Sequence, residues 1–269
     1  MSLTVLQTEI LRLLAARRRA SGESYVAGGV ALNTLLSAPR QSRDIDLFHD
    51  TETALSASWL GDRDALRAHG AQVDVLRETP TFVEAMVERG GERTIMQWVR
   101  DSAYRFFPLV EDERFGLVLH PFDLATNKVL ALAGRAEVRD WVDTLACDAR
   151  LQPLGYLIWS ACAKDPGYSP PSLLAAVRRL HYSRVEVNTL DFGGEPPDAG
   201  ALGRQWHAAL AAAAAICAAL PAAELGACVV MKNGELFRAA AEEIPSALAL
   251  GRIAFHGGRI GGAWPEFVA

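Results

Sequence analysis

The stretch that most constrains this chain is YVAGGVALNTLLSAPRQSRDIDLFHD, which spans residues 25–50. Its first residues are apolar and end in Gly28 and Gly29, a pattern typical of a short buried strand that closes in a turn. The following VALNTLLSA predicts a helix that stops before Pro39. In DIDLFHD, acidic and apolar side chains alternate, which predicts a further strand. The stretch therefore predicts a strand, a glycine turn, a helix and a second strand, in that order.

Two aspartates, Asp44 and Asp46, lie on the second predicted strand with one isoleucine between them. Alternate residues of a strand point to the same face, so the two carboxylates should lie side by side and repel each other unless a cation lies between them. Mg²⁺ and Mn²⁺ are hard cations that prefer oxygen ligands. The backbone N–H groups of Gly28 and Gly29, at the start of a helix, suit a phosphate group. An Asp-x-Asp or a Gly-Gly alone is usually a solvated strand face or a simple turn, but the two in this order favour a site for a nucleoside triphosphate and its metal ion.

The chain changes in character near its middle. Predicted strands and helices alternate up to about residue 150, and helices with Pro- and Gly-rich breaks follow. With 269 residues, the chain is long enough for one large domain or two modest ones. We therefore expect an α+β domain over residues 1–150 and a helical domain over residues 151–269. The formal net charge of -5 argues against a general nucleic-acid coat protein, which would be basic.

Cysteine usage and hydropathy indicate a cytoplasmic protein without a membrane partner. The four cysteines are Cys147, Cys162, Cys217 and Cys228. They lie in apolar segments without disulfide or zinc spacing, so we expect reduced core residues. The N-terminus lacks the apolar core and cleavage site of a signal peptide. The most apolar stretch, residues 208–223, is alanine-rich, shorter than the ~20 residues that a bilayer requires, and interrupted by Pro221, so it predicts a packed helix.

A second block of interest is HPFDLATNKVLALAGRAEVRDWVDTLA, residues 120–146. Its pattern predicts two helices. Asp140 and Asp143 are i, i+3 neighbours and therefore share one helix face. Lys128 is a flexible point charge of the kind that contacts a triphosphate. An ordinary helix held by salt bridges is the alternative for this block when it is considered alone.

Together the two blocks resemble the DNA polymerase β-like nucleotidyltransferase superfamily. The closer similarity is to its AbiEii-type branch, which includes MenT toxins of bacterial toxin–antitoxin systems. The matching text is GGVALN…R.SRDIDLF, followed by the lysine and the acidic helix of the second block, and it covers roughly residues 25–145. The resemblance implies a polymerase β-like core with a mixed sheet and helices, followed by a C-terminal helical bundle.

The resemblance also implies roles for individual residues. Asp44 and Asp46 would bind Mg²⁺ or Mn²⁺, Lys128 would contact phosphates, and Asp140 would position or activate the acceptor. The implied supporting residues are Gly28 and Gly29 at the triphosphate, with Arg43, Arg139 and Asp143 around the site. Arg139 stands where the motif often has lysine, which is a departure from the pattern.

Polymerase β-like sites often add a third carboxylate from a later strand. Two residues of this chain are candidates for it, Asp101 after RTIMQWVR and Asp74 in AQVDVL. We expect Asp101 to be the third metal ligand, because its predicted strand follows the Asp-x-Asp strand at a suitable distance. Without either residue, the metal would depend more on substrate phosphates and water.

The resulting expectation is a metal-dependent enzyme that transfers a nucleoside monophosphate from a nucleoside triphosphate to an acceptor. The resemblance suggests the 3′ end of tRNA or a protein hydroxyl as acceptor, and a toxin with a cognate antitoxin as biological setting. Two alternatives stay open. One is an antibiotic-type enzyme that modifies a small molecule, and the other is a catalytically inactive module that binds a nucleotide or an antitoxin.

Overall fold

The computed structural model describes residues 3–266, and its contacts divide the chain into two compact units. Within the described residues, the first unit comprises residues 3–103 and Leu109–His120, and the second comprises Tyr104–Pro108 and residues 121–266. The helices of the first unit are α1 (Val5–Ser21), α2 (Gly28–Leu35) and α3 (Glu52–Ala68). Its strands are β1 (Ser24–Ala27), β2 (Asp44–His49), β3 (Gln72–Thr79), β4 (Phe82–Arg89), β5 (Glu92–Arg100), β7 (Val110–Asp112) and β8 (Gly116–Val118).

These strands form one mixed sheet of seven strands in the order β3-β4-β5-β2-β1-β8-β7. The neighbours β1 and β2 are antiparallel, whereas β2 runs parallel to β5 and β1 runs parallel to β8. Strand β2, which carries the Asp-x-Asp motif, therefore lies in the interior of the sheet. A strand in this position has backbone partners on both sides, which fixes the direction of its side chains.

Local sequence explains how several of these elements begin and end. Helix α1 starts with a capping box, in which Thr4 and Gln7 exchange side-chain-to-backbone hydrogen bonds. Strands β4 and β5 form a hairpin, with Arg89 paired to Glu92 across Gly90 and Gly91. Both glycines have positive φ, the conformation that a two-residue turn requires and that side chains with a Cβ disfavour.

The second unit is mostly helical but contains two small sheets. Its helices are α4 (Pro121–Arg135), α5 (Val138–Arg150), α6 (Leu154–Ala161), α7 (Pro170–Arg178), α8 (Arg184–Val187), α9 (Ala199–Ala219) and α10 (Ile244–Ala249). Its strand pairs are β6 (Tyr104–Arg105) with β11 (Arg259–Ile260), and β9 (Cys228–Met231) with β10 (Ile253–His256). Helices α4 and α5 pack against α6, so they belong to this unit. The units consequently divide near residue 120, whereas sequence composition predicts a boundary near residue 150.

The core of the second unit forms where α6 crosses the alanine-rich helix α9. A Cβ placed on Gly155 would come 2.6 Å from the Cβ of Ile216, so only glycine permits this close approach. Ile216 continues into a buried cluster with Tyr156, Trp159 and Phe237, among other residues. Helix α9 is therefore a packed helix of the unit, as its sequence predicts. Within residues 3–266, no helix combines the length and apolar character needed to cross a membrane.

The predicted fold class is confirmed: the structure is α+β, with a mixed sheet and a helical C-terminal part. The prediction that the cysteines are unpaired core residues is also confirmed. All four are free, with Cys217 partly buried and the other three buried. Sequence patterning does not indicate strands β9, β10 and β11, because all three are short and lie in glycine- and loop-rich segments of the chain.

Candidate active site

Asp44 and Asp46 lie on the same face of β2. Their side chains are partly exposed, whereas Ile45 and Leu47 between and after them are fully buried on the opposite face. The alternation arises because successive residues of a strand point to opposite sides of the sheet. The structure thus places two carboxylates next to each other on a surface that a ligand can reach.

Gly28, the first residue of helix α2, lies directly against Asp46 of this carboxylate pair. It has a φ of +65°, which favours glycine, and a Cβ at this position would overlap the carboxylate of Asp46. Its chain neighbour Ala27 is the register partner of Asp46 on the adjacent strand. The Asp46 carboxylate therefore lies directly against the first residue of α2, where backbone N–H groups have no partner within the helix.

Gly29 brings two further polar side chains to the same helix end. A Cβ at Gly29 would come 2.5 Å from Nη2 of Arg40 and 2.9 Å from Oγ of Ser42. Arg40 is buried and donates Nη1 to the Gln41 carbonyl at 3.1 Å. The sequence pattern assigns no role to Arg40 or Ser42, although both stand in RQSRDID immediately before the aspartates. A guanidinium, a hydroxyl and helix N–H groups are together the donors that bind phosphate.

The loop that carries these residues is held by the rest of the first unit. Nε2 of Gln7 on α1 donates to the Ser42 carbonyl at 2.9 Å, and Oγ1 of Thr94 on β5 donates to the Arg43 carbonyl at 2.9 Å. The side chain of Arg43 is exposed, so its predicted contact with the nucleotide stays a prediction. The two backbone bonds fix the chain direction just before Asp44 and thereby the orientation of the pair.

The proposed third carboxylates lie far from the pair along the sheet. The Asp101 N–H donates to the carbonyl of His49, three residues beyond Asp46, which is about 10 Å along a strand. Asp74 is on β3, and β4 and β5 separate it from β2, which corresponds to about 14 Å. The structure thus does not bring Asp101 or Asp74 beside Asp46, because the strand ends and strand order place both elsewhere. The geometry does not favour the predicted metal role of Asp101.

The oxygen atoms of the carboxylate pair are suitable ligands for a hard divalent cation. Among residues 3–266, no group of three or more His, Cys, Asp or Glu side chains is arranged to hold a metal ion. Two carboxylates on one face nevertheless match the ligand preference of Mg²⁺, which usually takes one or two carboxylates together with water and substrate phosphates. The donor set of Asp44 and Asp46 therefore fits Mg²⁺ or Mn²⁺ accompanied by a nucleotide.

The second unit holds a buried cluster of charges. Nζ of Lys128 on α4 lies 2.9 Å from Asp140 and 3.1 Å from Asp143, both on α5. Arg135 adds two hydrogen bonds to Asp140, at 2.6 Å and 2.9 Å. The predicted residues Lys128, Asp140 and Asp143 are thus brought together. Arg139 instead pairs with Glu137 at 2.6 Å.

The Asp140 carboxylate is stabilised in its charged form. Burial on its own would raise the pKa of Asp140, but the hydrogen bonds and charges of Arg135 and Lys128 outweigh it, and the net pKa is lowered. A carboxylate with a lowered pKa is a weak proton acceptor. The cluster is therefore better suited to hold fixed charges in position than to remove a proton.

Comparisons with known proteins address the fold that carries these features. Comparison of the sequence with protein-family models finds no match, and neither does comparison with curated proteins. Solved structures do match. MenT4, a nucleotidyltransferase toxin from Mycobacterium tuberculosis, aligns with a TM-score of 0.54 and 17% identity, over 92% of this chain and 91% of its own.

The chain has a nucleotidyltransferase fold. JHP933 from Helicobacter pylori also aligns, with a TM-score of 0.50 and 16% identity over 78% of this chain and 92% of its own. The expectation of a nucleotidyltransferase core, drawn from the resemblance of the two sequence blocks, is confirmed at the level of the fold.

Proposed function

We propose that the protein is a Mg²⁺- or Mn²⁺-dependent nucleotidyltransferase that uses a nucleoside triphosphate. The observation that carries this proposal is the Asp46 carboxylate lying against Gly28 at the start of α2, within a nucleotidyltransferase fold. A metal–triphosphate complex needs a carboxylate for the metal ion next to donors for the phosphates. Asp46 and the start of α2 would provide these two parts in contact with each other. The nucleotidyl group would pass to an acceptor oxygen, and pyrophosphate would leave.

Asp44 and Asp46 would hold the metal ion. When bound, the ion supplies positive charge that neutralises the phosphates and aligns the attacking and leaving oxygens. The protein's own part is to orient the two carboxylates on one strand face and to keep Gly28 free of a side chain beside them. Asp101 lies about 10 Å along the strand, so we do not assign it to this metal.

The triphosphate would be held at the first turn of α2. Here the backbone N–H groups of Gly28 and Gly29 combine with the guanidinium of Arg40 and the hydroxyl of Ser42. Charge-assisted hydrogen bonds from an arginine to phosphate are stronger than neutral ones. Arg43 is exposed near the start of β2 and would add a contact with the nucleotide.

For the second unit we propose positioning roles. Lys128 would hold the carboxylates of Asp140 and Asp143 together, and its contact with a phosphate stays a prediction from the resemblance. Asp140 would fix Lys128 and Arg135 through its hydrogen bonds to both side chains. We do not assign it the role of a general base, because its lowered pKa makes it a weak proton acceptor. Asp143 and Arg139 would support this cluster from α5.

The acceptor and biological setting are part of the proposal. MenT4 is a nucleotidyltransferase toxin. By analogy, this protein would transfer to an RNA 3′ end such as that of tRNA, or to a protein hydroxyl, as a cytoplasmic toxin with a cognate antitoxin. A small-molecule acceptor and a nucleotide-binding module without catalysis are the competing outcomes.

A label-transfer assay tests the proposal. The purified protein is incubated with each α-labelled nucleoside triphosphate and Mg²⁺, with total tRNA, with protein extract, or alone. We expect label on one macromolecule, at a rate lowered by about 10³-fold or more in Asp44→Ala/Asp46→Ala, since several kcal/mol of metal-dependent stabilisation is lost. The matched control is Asp74→Ala on β3, which should keep full activity.

Three outcomes separate the alternatives. Label on RNA or protein identifies the acceptor class. Label transfer only to added small hydroxyl compounds supports the antibiotic-type alternative. Nucleotide binding with no transfer to any acceptor, unchanged in the double variant, would overturn the proposal and favour the binding module.

A further inference from the structure

Gln97 on β5 is the direct neighbour of Asp46. Strand β5 runs parallel to β2, and the register pairs Asp46 with Gln97. Paired residues on neighbouring strands are about 4.8 Å apart and point to the same face. The burial pattern agrees, because Gln97 is partly exposed like Asp46, whereas Met96 and Trp98 on either side are fully buried.

Glu84 on β4 determines which way the Gln97 amide is turned. The two residues are register partners on the other side of β5, and Nε2 of Gln97 donates to Oε2 of Glu84 at 2.7 Å. A carboxylate only accepts hydrogen bonds, so the amide nitrogen must be the atom that faces Glu84. The amide oxygen is consequently on the side away from Glu84, and the neighbouring strand on that side of β5 is β2, with Asp46 as the register partner of Gln97.

We propose that Oε1 of Gln97 is a third protein oxygen ligand of the metal held by Asp44 and Asp46, and that Glu84 is the residue that orients it. This inference rests on the proposed function. Amide carbonyl oxygens are ordinary ligands of hard divalent cations. An outer residue that fixes the orientation of a ligand is likewise a common component of metal sites. Gln97 thus takes the position next to Asp46 that a third carboxylate from a later strand would otherwise occupy.

The charge of this ligand set has a consequence for how the metal is bound. Two carboxylates and a neutral amide balance one divalent cation without excess negative charge. A third carboxylate would bind the free ion more tightly. With Gln97, the site should bind the ion alone weakly and hold it better when triphosphate oxygens complete the coordination.

Mn²⁺ binding measured without turnover tests the assignment. The free-ion signal in electron paramagnetic resonance is titrated with wild-type protein, Gln97→Ala, Gln97→Glu, Glu84→Gln and Asp46→Asn. The matched control is Gln72→Ala, since Gln72 on β3 also donates to a carboxylate, Asp74, at 2.7 Å in the same sheet. Thermal melting without metal checks that each variant is folded.

We expect Gln97→Ala to weaken Mn²⁺ binding about 10-fold or more, and Glu84→Gln to weaken it less, because the amide loses its orientation but stays present. Gln97→Glu should bind Mn²⁺ more tightly than wild type, because a carboxylate replaces the neutral oxygen. Gln72→Ala should bind like wild type.

If Asp46→Asn loses Mn²⁺ while Gln97→Ala and Gln97→Glu bind like wild type, the role of Gln97 is overturned and the proposed function stands. If wild type binds no Mn²⁺, alone or with inorganic triphosphate, both the ligand set and the metal part of the proposed function fall.

Discussion

The two charged regions of this protein use the same residue types in opposite ways. On β2, Asp44 and Asp46 are partly exposed, and Asp46 lies against the start of helix α2. On α5, Asp140 and Asp143 have no exposed surface, and Lys128 lies between them at 2.9 Å and 3.1 Å. The partly exposed carboxylate pair is accessible to a cation from solution, whereas Lys128 lies between the two buried carboxylates of the second cluster. Two aspartates that are close in sequence thus indicate a charged site. The burial of their side chains and the cations around them decide whether that site binds a ligand or supports the structure.

The sharpest test of this difference compares Asp140→Ala with Asp46→Ala. We expect Asp140→Ala to lower the free energy of unfolding by roughly 3–5 kcal/mol, because it removes one partner of a buried ion pair. Asp46→Ala should change stability by less than about 1 kcal/mol, since it removes a partly exposed charge. Urea unfolding followed by circular dichroism measures both. Equal losses in the two variants would mean that the regions do not differ in the way described.

A second test compares the two faces of β2. His49 is fully buried on the face opposite Asp46, and its Nδ1 lies 3.3 Å from the Val99 carbonyl. Burial lowers the pKa of His49 to about 4 from 6.5. The unfolded chain therefore takes up a proton first as the pH falls, and stability conferred by neutral His49 is lost between pH 6.5 and pH 4, by about 3 kcal/mol.

The variant His49→Asn isolates this contribution, because its amide can still donate toward Val99 but does not titrate. The free energy of unfolding, measured from pH 7 to pH 4, should fall less steeply in the variant than in wild type. Parallel curves would show that His49 does not titrate differently in the folded and unfolded states.

The smallest expected effect concerns the glycine at the carboxylate pair. Gly28 and Gly22 have similar φ values, +65° and +69°, but a Cβ at Gly22 would meet nothing within 4 Å. Gly22→Ala should cost about 1 kcal/mol, from backbone strain alone. Gly28→Ala should cost about 1–2 kcal/mol more, because the new methyl group must displace the Asp46 carboxylate. Chemical denaturation measures the stabilities, and nucleotide affinity should fall only in Gly28→Ala. The same affinity in both variants would contradict the site.

Several parts of the site follow from local sequence, and others do not. The Gly-Gly turn, helix α2 and the alternation on β2 depend on neighbouring residues, so YVAGG and DIDLFH were sufficient to predict them. Arg40 and Ser42 lie in the same stretch but approach Gly29 only through the path of the loop, which no residue pattern describes. Lys128, Asp140 and Asp143 could be placed on two helices from sequence, but their mutual contacts depend on how α4 and α5 pack.

By itself, the sequence determined the order of strand, glycine turn, helix and Asp-x-Asp strand, because glycine conformation and the two-residue period of a strand are local properties. It also carried the likeness to a nucleotidyltransferase core. Only the tertiary structure decided that β5 lies beside β2, which places Gln97 next to Asp46 and leaves Asp101 beyond the end of the strand. It likewise decided that the compact units divide near residue 120. Strand neighbours and helix packing join residues far apart along the chain, so side-chain patterns within one segment do not specify them.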